Sequence, residues 1–364
     1  MHRHLIIIIV ITISFIANFS LISAGNAQTF ATKAKQAIIL DGLTGAVLFG
    51  KNENQLMAPA SMSKLMTMTL IFEAIKSGQL DMSDEFLITE NAFKRGGSRM
   101  FAQLGSGISL EKLIQGVIVQ SANDASVALA EGMSGTEEEF ARAMTKRARE
   151  LGLVKSTFVN ATGWPDPQQL MTAKELALLA RHIIYKLSDF YSFYRQPDFT
   201  WNKIKQKNRN PLLGVKGVDG LKTGYTEESG YGLVASAQRK GRRLILVVNG
   251  LETMSDRKAE ARKLLDWGFR SFRNLKLFAK NEAIGQARVW GGEIFFINLV
   301  TKVPISILSN DKITQKISAE IVYRGPVVAP VRAGQKVGIL RIKSGDLISQ
   351  EIDLFADRGV NRGG

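Results

Sequence analysis

The pattern of apolar residues changes near residue 274, and this change constrains the fold more than any other feature of the sequence. Before residue 274, helix-length apolar patterns alternate with short strand-like runs. After it, short runs rich in Val and Ile follow one another, separated by Gly, Pro, Asn and Asp. We therefore predict a mixed helix and strand domain over 28–274, followed by a small all-β domain over 275–364.

The same apolar patterns predict the individual elements. In the first domain, strand-like runs lie at 36–41, 46–50, 230–237 and 243–250, and helical patterns lie at 60–76, 110–129, 136–151, 173–185 and 254–272. In the second domain, the predicted strands lie at 294–300, 317–323, 337–342 and 347–355.

The N-terminus has the three parts of a secretory signal peptide. A short basic start precedes the almost wholly apolar segment 5–17, and the small residues Gly25 and Ala27 then form a small-x-small cleavage motif. We predict a signal peptide over 1–27 and export of the remaining chain. An uncleaved membrane anchor is the alternative, because 5–22 is just long enough to span a bilayer.

Two residue counts exclude several kinds of chemistry. The chain contains no Cys, which rules out disulfides, thiol nucleophiles and Cys-ligated metals. It contains three His, of which only His182 lies outside the first four residues, so a multi-histidine metal site is excluded as well. We predict neither a metal nor a cofactor, and we interpret His182 as a packed or solvated helix residue.

The chain is strongly basic, with 48 Lys and Arg against 33 Asp and Glu and a formal net charge of +15. The basic residues are dispersed and no aromatic-rich platform for single strands accompanies them, so we predict no nucleic-acid partner. A solvated basic surface is the favoured interpretation. Weak association with an anionic membrane surface or wall polymer is the second.

A covalent hydrolase with this composition needs a serine that is activated without a thiol or an imidazole. Ser61-Met-Ser-Lys64 provides one, because positions i and i+3 of a helix share a face and Ser61 Oγ can then meet Lys64 Nζ. Lysine acts as a base only when it is neutral, and burial or a nearby cation lowers its pKa. The start of the predicted helix adds a positive dipole end, which stabilises an oxyanion.

The Ser-x-x-Lys pattern alone is weak, because it occurs four times in the chain. The four matches begin at Ser61, Ser109, Ser255 and Ser309. Only the first match opens an apolar helix and also begins an ordered set. Ser121-Ala-Asn123 follows it after 60 residues, and Lys222-Thr223-Gly224 follows after a further 101, just before a predicted strand hairpin.

This ordered set resembles the penicillin-recognising serine enzymes, and most closely the D-alanyl-D-alanine carboxypeptidases, the low-molecular-mass penicillin-binding proteins. The resemblance covers about 34–274 strongly and the β domain more loosely. It implies a β-lactamase/transpeptidase-like α/β (α+β) catalytic domain, with an antiparallel sheet flanked by helices, and a sandwich-like β domain. The implied partners are peptidoglycan stem peptides ending in D-Ala-D-Ala and β-lactam antibiotics.

The resemblance also implies catalytic roles. Ser61 attacks the carbonyl between the two terminal D-alanines, and Lys64 takes its proton. Ser121 relays a proton to the leaving amine, and the amide of Asn123 holds the substrate backbone. The backbone N–H groups of Ser61 and Tyr225 form the oxyanion hole.

Substrate binding is implied for a second group of residues. Lys222 helps to keep Lys64 neutral, and with Thr223 it faces the free carboxylate of the substrate. Gly224 lets the substrate lie along the strand edge without a side chain in the way. Arg257 binds the terminal carboxylate; the alternative is an arginine on the surface of its helix.

Two features depart from the family pattern. Many relatives carry His after Lys-Thr-Gly, whereas this chain has Tyr225. Family members also often end in an amphipathic helix, and no amphipathic stretch follows 357–364, so we do not expect inner-membrane anchoring. We interpret Asp124 and Asp219, which adjoin the motifs, as structural hydrogen-bonding residues.

Two other functions compete with the carboxypeptidase. A β-lactamase shares the ordered set but needs a second general base, and we find no Glu-x-x-x-Asn motif between Asn123 and Lys222. A non-catalytic peptidoglycan-binding protein is the other alternative, and the intact motif residues argue against it.

If Ser61 is the nucleophile, the other three Ser-x-x-Lys matches are coincidental and only Ser61→Ala abolishes covalent labelling by penicillin. Ala substitutions at Ser109, Ser255 and Ser309 serve as matched controls and retain labelling. Mass spectrometry of the penicillin adduct locates the acylated peptide. An adduct on any of the three control serines contradicts the assignment.

Overall fold

The structure is a computed structural model that describes residues 5–11, 30–309, 317–344 and 348–364. Of the predicted signal peptide it describes only the backbone of Leu5–Ile11, and the cleavage motif lies outside the described residues. Two compact units form: residues 30–269 make the first unit, and residues 270–364 with the N-terminal segment make the second. Among the described residues, no helix combines the length and the apolar character needed to cross a bilayer.

The described strands, in chain order, are β1 (Leu5–Ile11), β2 (Gln36–Asp41), β3 (Val47–Lys51), β4 (Leu56–Met57), β5 (Glu85–Leu87), β6 (Gly107–Ser109), β7 (Met171–Thr172), β8 (Asp198–Trp201), β9 (Ile204–Lys207), β10 (Val218–Thr226), β11 (Gly230–Arg239), β12 (Arg242–Leu251), β13 (Arg273–Phe278), β14 (Ala283–Trp290), β15 (Phe296–Val300), β16 (Ile305–Ser309), β17 (Ile317–Gly325), β18 (Val327–Val328), β19 (Lys336–Ser344) and β20 (Ile348–Ala356). The α-helices are α1 (Lys64–Lys76), α2 (Glu90–Lys94), α3 (Leu110–Gln115), α4 (Asn123–Ser134), α5 (Glu137–Glu150), α6 (Ala173–Lys186) and α7 (Met254–Ser271). Short 3-10 helices cover Ala60–Ser63 and Ser188–Arg195.

The core of the first unit is built on a five-stranded antiparallel sheet with the strand order β10-β11-β12-β2-β3. Successive side chains of a strand point to opposite faces. In β2, Ile38 and Leu40 pack into the cluster formed by the helices, whereas Ile39 lies against α7 near Gly268. Both faces are therefore covered, which explains the uninterrupted apolar runs of these strands. The implied antiparallel sheet flanked by helices is confirmed.

Most of helix α1 is buried, and its packing holds the first residue, Lys64, in place. Phe72 is fully buried and stacks on Phe190 with ring centroids 4.8 Å apart. The carboxylate of Glu73 lies 3.0 Å from Nε2 of His182 and also accepts a hydrogen bond from Arg147. His182 is thus a packed helix residue that binds α1, as we interpreted it.

The prediction of one helix over 110–129 is wrong. Helix α3 ends at Gln115, a π-helical turn covers Gly116–Gln120, and α4 begins only at Asn123. Ser121, between them, has a left-handed backbone with φ of +63°. Every residue from 116 to 130 is buried, so the apolar pattern carries no periodicity that would reveal the break.

The second unit holds a seven-stranded sheet with the order β1-β17-β19-β20-β15-β14-β18, antiparallel except for the β14–β18 pair. A two-stranded ribbon of β13 and β16 shares its core, since Ile305 of β16 packs in one cluster with Ile297 and Leu340. The implied all-β domain is confirmed. Strand β14 was not predicted because it buries only Ile284, Ala287 and Val289, which gives no continuous apolar run.

Phe72→Ala should lower the free energy of unfolding of the first unit by about 3–5 kcal/mol, because it leaves a cavity beside Phe190. Leu43→Ala is the control, since Leu43 is 71% exposed and its truncation should change the free energy of unfolding by less than about 0.5 kcal/mol. Chemical denaturation followed by circular dichroism measures both. Equal, small effects would contradict the packing described for α1.

Candidate active site

The 3-10 turn Ala60–Ser63 carries Ser61 at the entrance to helix α1. Ala60 has a left-handed backbone with φ of +47°, which turns the chain sharply just before the serine. Ser61 is half-buried, and its Oγ lies 3.1 Å from Nζ of Lys64. The helical spacing therefore brings the predicted nucleophile and base together.

Lys64 is 1% exposed, and its amine has three neighbours from three segments of the chain. Besides Ser61 Oγ, Nζ lies 2.7 Å from Oδ1 of Asn123 and 2.5 Å from the carbonyl oxygen of Thr162. None of these partners is a carboxylate. Burial, aided by the positive charge of Arg209, lowers the pKa of Lys64 to about 7, although the more distant charges of Glu137 and Asp124 raise it.

Asn160 builds the turn that presents the Thr162 carbonyl to Lys64. Its Oδ1 accepts hydrogen bonds from the backbone N–H groups of Thr162, Gly163 and Trp164, at 3.2, 2.7 and 3.0 Å. Gly163 has φ of +76°, and a Cβ there would lie 2.0 Å from the carbonyl oxygen of Ala60. The turn thus packs directly against the nucleophile segment.

Ser121 and Asn123 occupy the break between α3 and α4. Asn123 donates from Nδ2 to the carbonyl of Gly96 (2.8 Å), and this bond orients its Oδ1 toward Lys64. Ser121 is 2% exposed and lines the cleft, and its Oγ has no hydrogen-bond partner among the described residues. A buried hydroxyl without a partner is costly, so this atom is available to a substrate.

Asp124, in the same helix turn as Asn123, fixes the loop that contains Met100 and Ala102. Its carboxylate accepts hydrogen bonds from the backbone N–H groups of Met100 (3.0 Å) and Ala102 (3.2 Å). Asp219 binds Arg243 through two bonds of 2.8 Å and accepts from the hydroxyl of Tyr191 at 2.8 Å. The structural interpretation of both aspartates is confirmed.

Lys222, Thr223 and Gly224 lie within β10, at the edge of the five-stranded sheet, and just before the β11–β12 hairpin as predicted. Lys222 is 3% exposed, and burial lowers its pKa well below the usual range, assisted by the charge of Lys64. Gly224 lines the cleft, and the structure adds a packing reason for a glycine at this position. A Cβ at Gly224 would lie 2.9 Å from the carbonyl oxygen of Pro59, so the glycine allows β10 to approach the nucleophile segment.

A cleft of about 470 Å³ opens in front of these residues. Its lining residues are Ser61, Ser98, Ser121, Arg209, Thr223, Gly224, Tyr225, Tyr231, Met254 and Arg257. Arg257 is 7% exposed, so its reading as a surface arginine is wrong. Its guanidinium lies 5.5 Å from the ring centroid of Tyr231, and its Nε has no hydrogen-bond partner among the described residues.

Sequence reasoning missed several members of the cleft. Arg209 donates to Oγ of Ser98 (2.6 Å), which joins two loops at the rim, and its charge acts on the pKa values of Lys64 and Lys222. Tyr231 stacks on Tyr225 with ring centroids 4.1 Å apart. Single Arg, Ser and Tyr residues in loops and strands carry no motif, so no sequence signal distinguished them.

Family comparison agrees with this geometry. Residues 23–253 match the D-alanyl-D-alanine carboxypeptidase family, and residues 272–362 match the C-terminal domain of penicillin-binding protein 5. The chain belongs to the D-alanyl-D-alanine carboxypeptidase family. Its members are serine hydrolases, and the resemblance inferred from the ordered motifs is therefore confirmed.

Individual relatives match most of the chain. The carboxypeptidase DacF of Bacillus subtilis is 37% identical over 341 residues, which cover 92% of this chain and 87% of the relative. DacC of Escherichia coli is 34% identical and covers 91% and 85%. The structure of penicillin binding protein 5 from Haemophilus influenzae superposes with a TM-score of 0.81 at 35% identity, covering 92% of this chain and 99% of that one. Penicillin-binding protein D2 from Listeria monocytogenes, in its ampicillin-bound form, gives 0.61 at 30% identity over 66% and 99%.

The low pKa of Lys64 predicts the pH profile of acylation. If the neutral amine is required, the rate constant for acylation by penicillin should rise with pH through an apparent pKa near 7 and level off above it. Lys64→Arg should be almost inactive, because guanidinium does not lose its proton. Stopped-flow or quenched labelling measures this profile over roughly pH 5–9, a range that spans the pKa expected of a buried catalytic lysine. Substantial acylation by Lys64→Arg would remove Lys64 from the base role.

Proposed function

We propose that this enzyme removes the terminal D-alanine from peptidoglycan stem peptides through an acyl-enzyme on Ser61. The observation that carries the proposal is the buried Lys64 amine within hydrogen-bond distance of Ser61 Oγ. A neutral amine has two N–H donors and one lone pair. With the two donors directed to Asn123 and the Thr162 carbonyl, the lone pair faces the hydroxyl of Ser61.

The reaction then follows in balanced steps. Ser61 Oγ attacks the carbonyl between the two D-alanines as its proton passes to Lys64 Nζ, and the N–H groups of Ser61 and Tyr225 hold the resulting oxyanion. The unpartnered hydroxyl of Ser121 passes a proton from Lys64 to the leaving amine, and free D-alanine departs. Water then attacks the ester and gives its proton to Lys64, which returns it to Ser61 Oγ as the shortened peptide is released.

Recognition of a free C-terminus fits the charge of the cleft. Arg257 and Arg209 bring positive charge to the cleft, and no acidic side chain is among the cleft-lining residues in the described part of the chain. A terminal carboxylate supplies the missing negative charge. We assign its binding to Thr223 and Arg257, with Lys222 beneath them.

Penicillins should acylate the same serine, because their strained amide presents a carbonyl and a carboxylate to the same groups. A β-lactamase also needs a carboxylate that activates the deacylating water. Glu137, a buried acid whose charge acts on Lys64, is bound by Arg95 and by the backbone N–H of Ala161 (3.0 Å). This engagement favours slow deacylation and hence covalent inhibition.

The place of action follows from the predicted leader. We propose cleavage after residue 27, export to the periplasm, and a processed enzyme that consists of a catalytic domain over 28–274 and a β domain over 275–364. Periplasmic location brings the cleft to peptidoglycan. Neither nucleic acid nor a cofactor takes part in the proposed reaction.

A paired assay tests the function. Fluorescent penicillin and an N-acylated peptide ending in D-Ala-D-Ala are given separately to the enzyme and to Ser61→Ala. The expected result is stable labelling by penicillin and release of D-alanine, both lost in the variant. Rapid turnover of penicillin would favour a β-lactamase, and neither reaction would favour a wall-binding protein.

Arg257→Ala should separate recognition from chemistry. Loss of the guanidinium should lower kcat/KM for peptides with a free C-terminus. The corresponding loss of transition-state stabilisation should be about 1.5–3 kcal/mol, the range of a charge-assisted hydrogen bond. Peptides with an amidated C-terminus should begin slow and lose much less. Lys258→Ala is the matched control, since Lys258 is the exposed neighbour on the same helix. Equal losses on both peptides would assign Arg257 to the fold and leave the carboxylate to Lys222 and Thr223.

A further inference from the structure

Four large apolar side chains are exposed in one region of the second unit. Trp290, Phe295, Phe296 and Val328 are 61%, 73%, 55% and 60% exposed. They lie on, or directly beside, the ends of β14, β15 and β18. We call these four residues the aromatic patch. Exposed apolar side chains that occur singly need no explanation, whereas a cluster of this kind marks an interaction surface.

Strand register makes the aromatic patch continuous. Val328 is the cross-strand partner of Trp290, and Phe296 is the cross-strand partner of Arg288. Trp290 and Arg288 are two positions apart on β14 and therefore point to the same, outward face. The indole, one phenyl ring and a guanidinium thus share a single face of the sheet.

Two arginines whose charge no described carboxylate balances lie beside the aromatic patch. Neither Arg288 nor Arg362, which forms a β-bridge with Gly292 in the loop after β14, makes an ion pair with any described residue. The one carboxylate of that loop, Glu293, accepts hydrogen bonds from Asn361. Residues 270–364 as a whole contain fifteen Lys and Arg against eight Asp and Glu.

We propose that the aromatic patch binds the surface of an anionic lipid bilayer, with its rings at the headgroup level and Arg288 and Arg362 on lipid phosphates. Trp and Phe beside Arg favour this interface, because the aromatic rings leave water while the indole N–H and the guanidinium groups stay hydrated. Anionic lipid attracts each nearby cation further. A second copy of the chain fits less well, because a two-fold contact brings the same unpaired arginines against each other.

Vesicle binding tests the proposal with the chain from Gln28 to Gly364, so that the apolar leader does not contribute. The probes are phosphatidylglycerol vesicles and phosphatidylcholine vesicles, and the measurement is co-sedimentation at low and at physiological salt. The test variants are Trp290→Ser with Phe296→Ser, and Arg288→Gln with Arg362→Gln. The matched control is Leu43→Ser with Leu87→Ser, two residues of the first unit that are 71% and 59% exposed.

The enzyme should bind phosphatidylglycerol vesicles more tightly than phosphatidylcholine vesicles and lose part of this binding as salt rises. The aromatic double variant should bind about tenfold more weakly or worse, the arginine variant should lose the preference for phosphatidylglycerol, and the control should bind as the parent does. Circular dichroism and thermal unfolding of every variant check that the second unit is intact, and unchanged penicillin labelling keeps this inference separate from the proposed catalytic function.

Three results would overturn the proposal. The first is parental binding by the aromatic double variant, and the second is no binding to phosphatidylglycerol vesicles by the parent. The third is a dimer, detected by sedimentation velocity in the absence of lipid, that the aromatic double variant abolishes, since this would assign the aromatic patch to self-association.

Discussion

The active site depends on the burial of the Lys64 amine away from water. An ordinary lysine is protonated at neutral pH and has no lone pair for a serine proton. Burial of Nζ lowers its pKa to about 7, so a large share of the amine is neutral under working conditions. The same burial would be very costly without partners, and Asn123 and Thr162 supply them.

Three segments far apart in the chain must meet to provide that environment. Helix α1 brings Lys64, the break before α4 brings Asn123, and the turn organised by Asn160 brings the Thr162 carbonyl. The backbone of these segments can approach the backbone before Ser61 this closely only at glycine residues. Gly163 and Gly224 each lie against the segment before Ser61, and a Cβ at either position would collide with backbone oxygen atoms.

Arg209 and Arg257 line the cleft without an ion pair to any described carboxylate, and this arrangement suits the anionic substrate terminus that we propose. Lys222 and Arg257 are almost fully buried, and the pKa of each is lowered by burial. An internal acid would neutralise them and raise stability, but it would also compete with the substrate carboxylate. Nε of Arg257 and Oγ of Ser121 also lack a hydrogen-bond partner within the described part of the chain, so both polar atoms are free to bind a substrate.

The amino-acid sequence by itself determined the class of the fold and the chemistry of the site. The change of pattern near residue 274 separated a mixed domain from an all-β domain, and the ordered set from Ser61 to Gly224 was enough to indicate the family. These features are readable because they are local: strand and helix periods extend over a few residues, and Ser61 and Lys64 meet within one helical turn.

Only the tertiary structure decided which solitary residues join the site and why. Arg257 could be read equally as a surface residue, and Arg209, Ser98 and Asn160 carried no signal at all, because contacts across a hundred residues leave no local pattern. The break at Ser121 was also invisible, since a segment that is buried on all sides has no polar face to mark where a helix stops. The pKa of Lys64 has the same origin: it is set by burial and by distant charges, which exist only once the chain has folded.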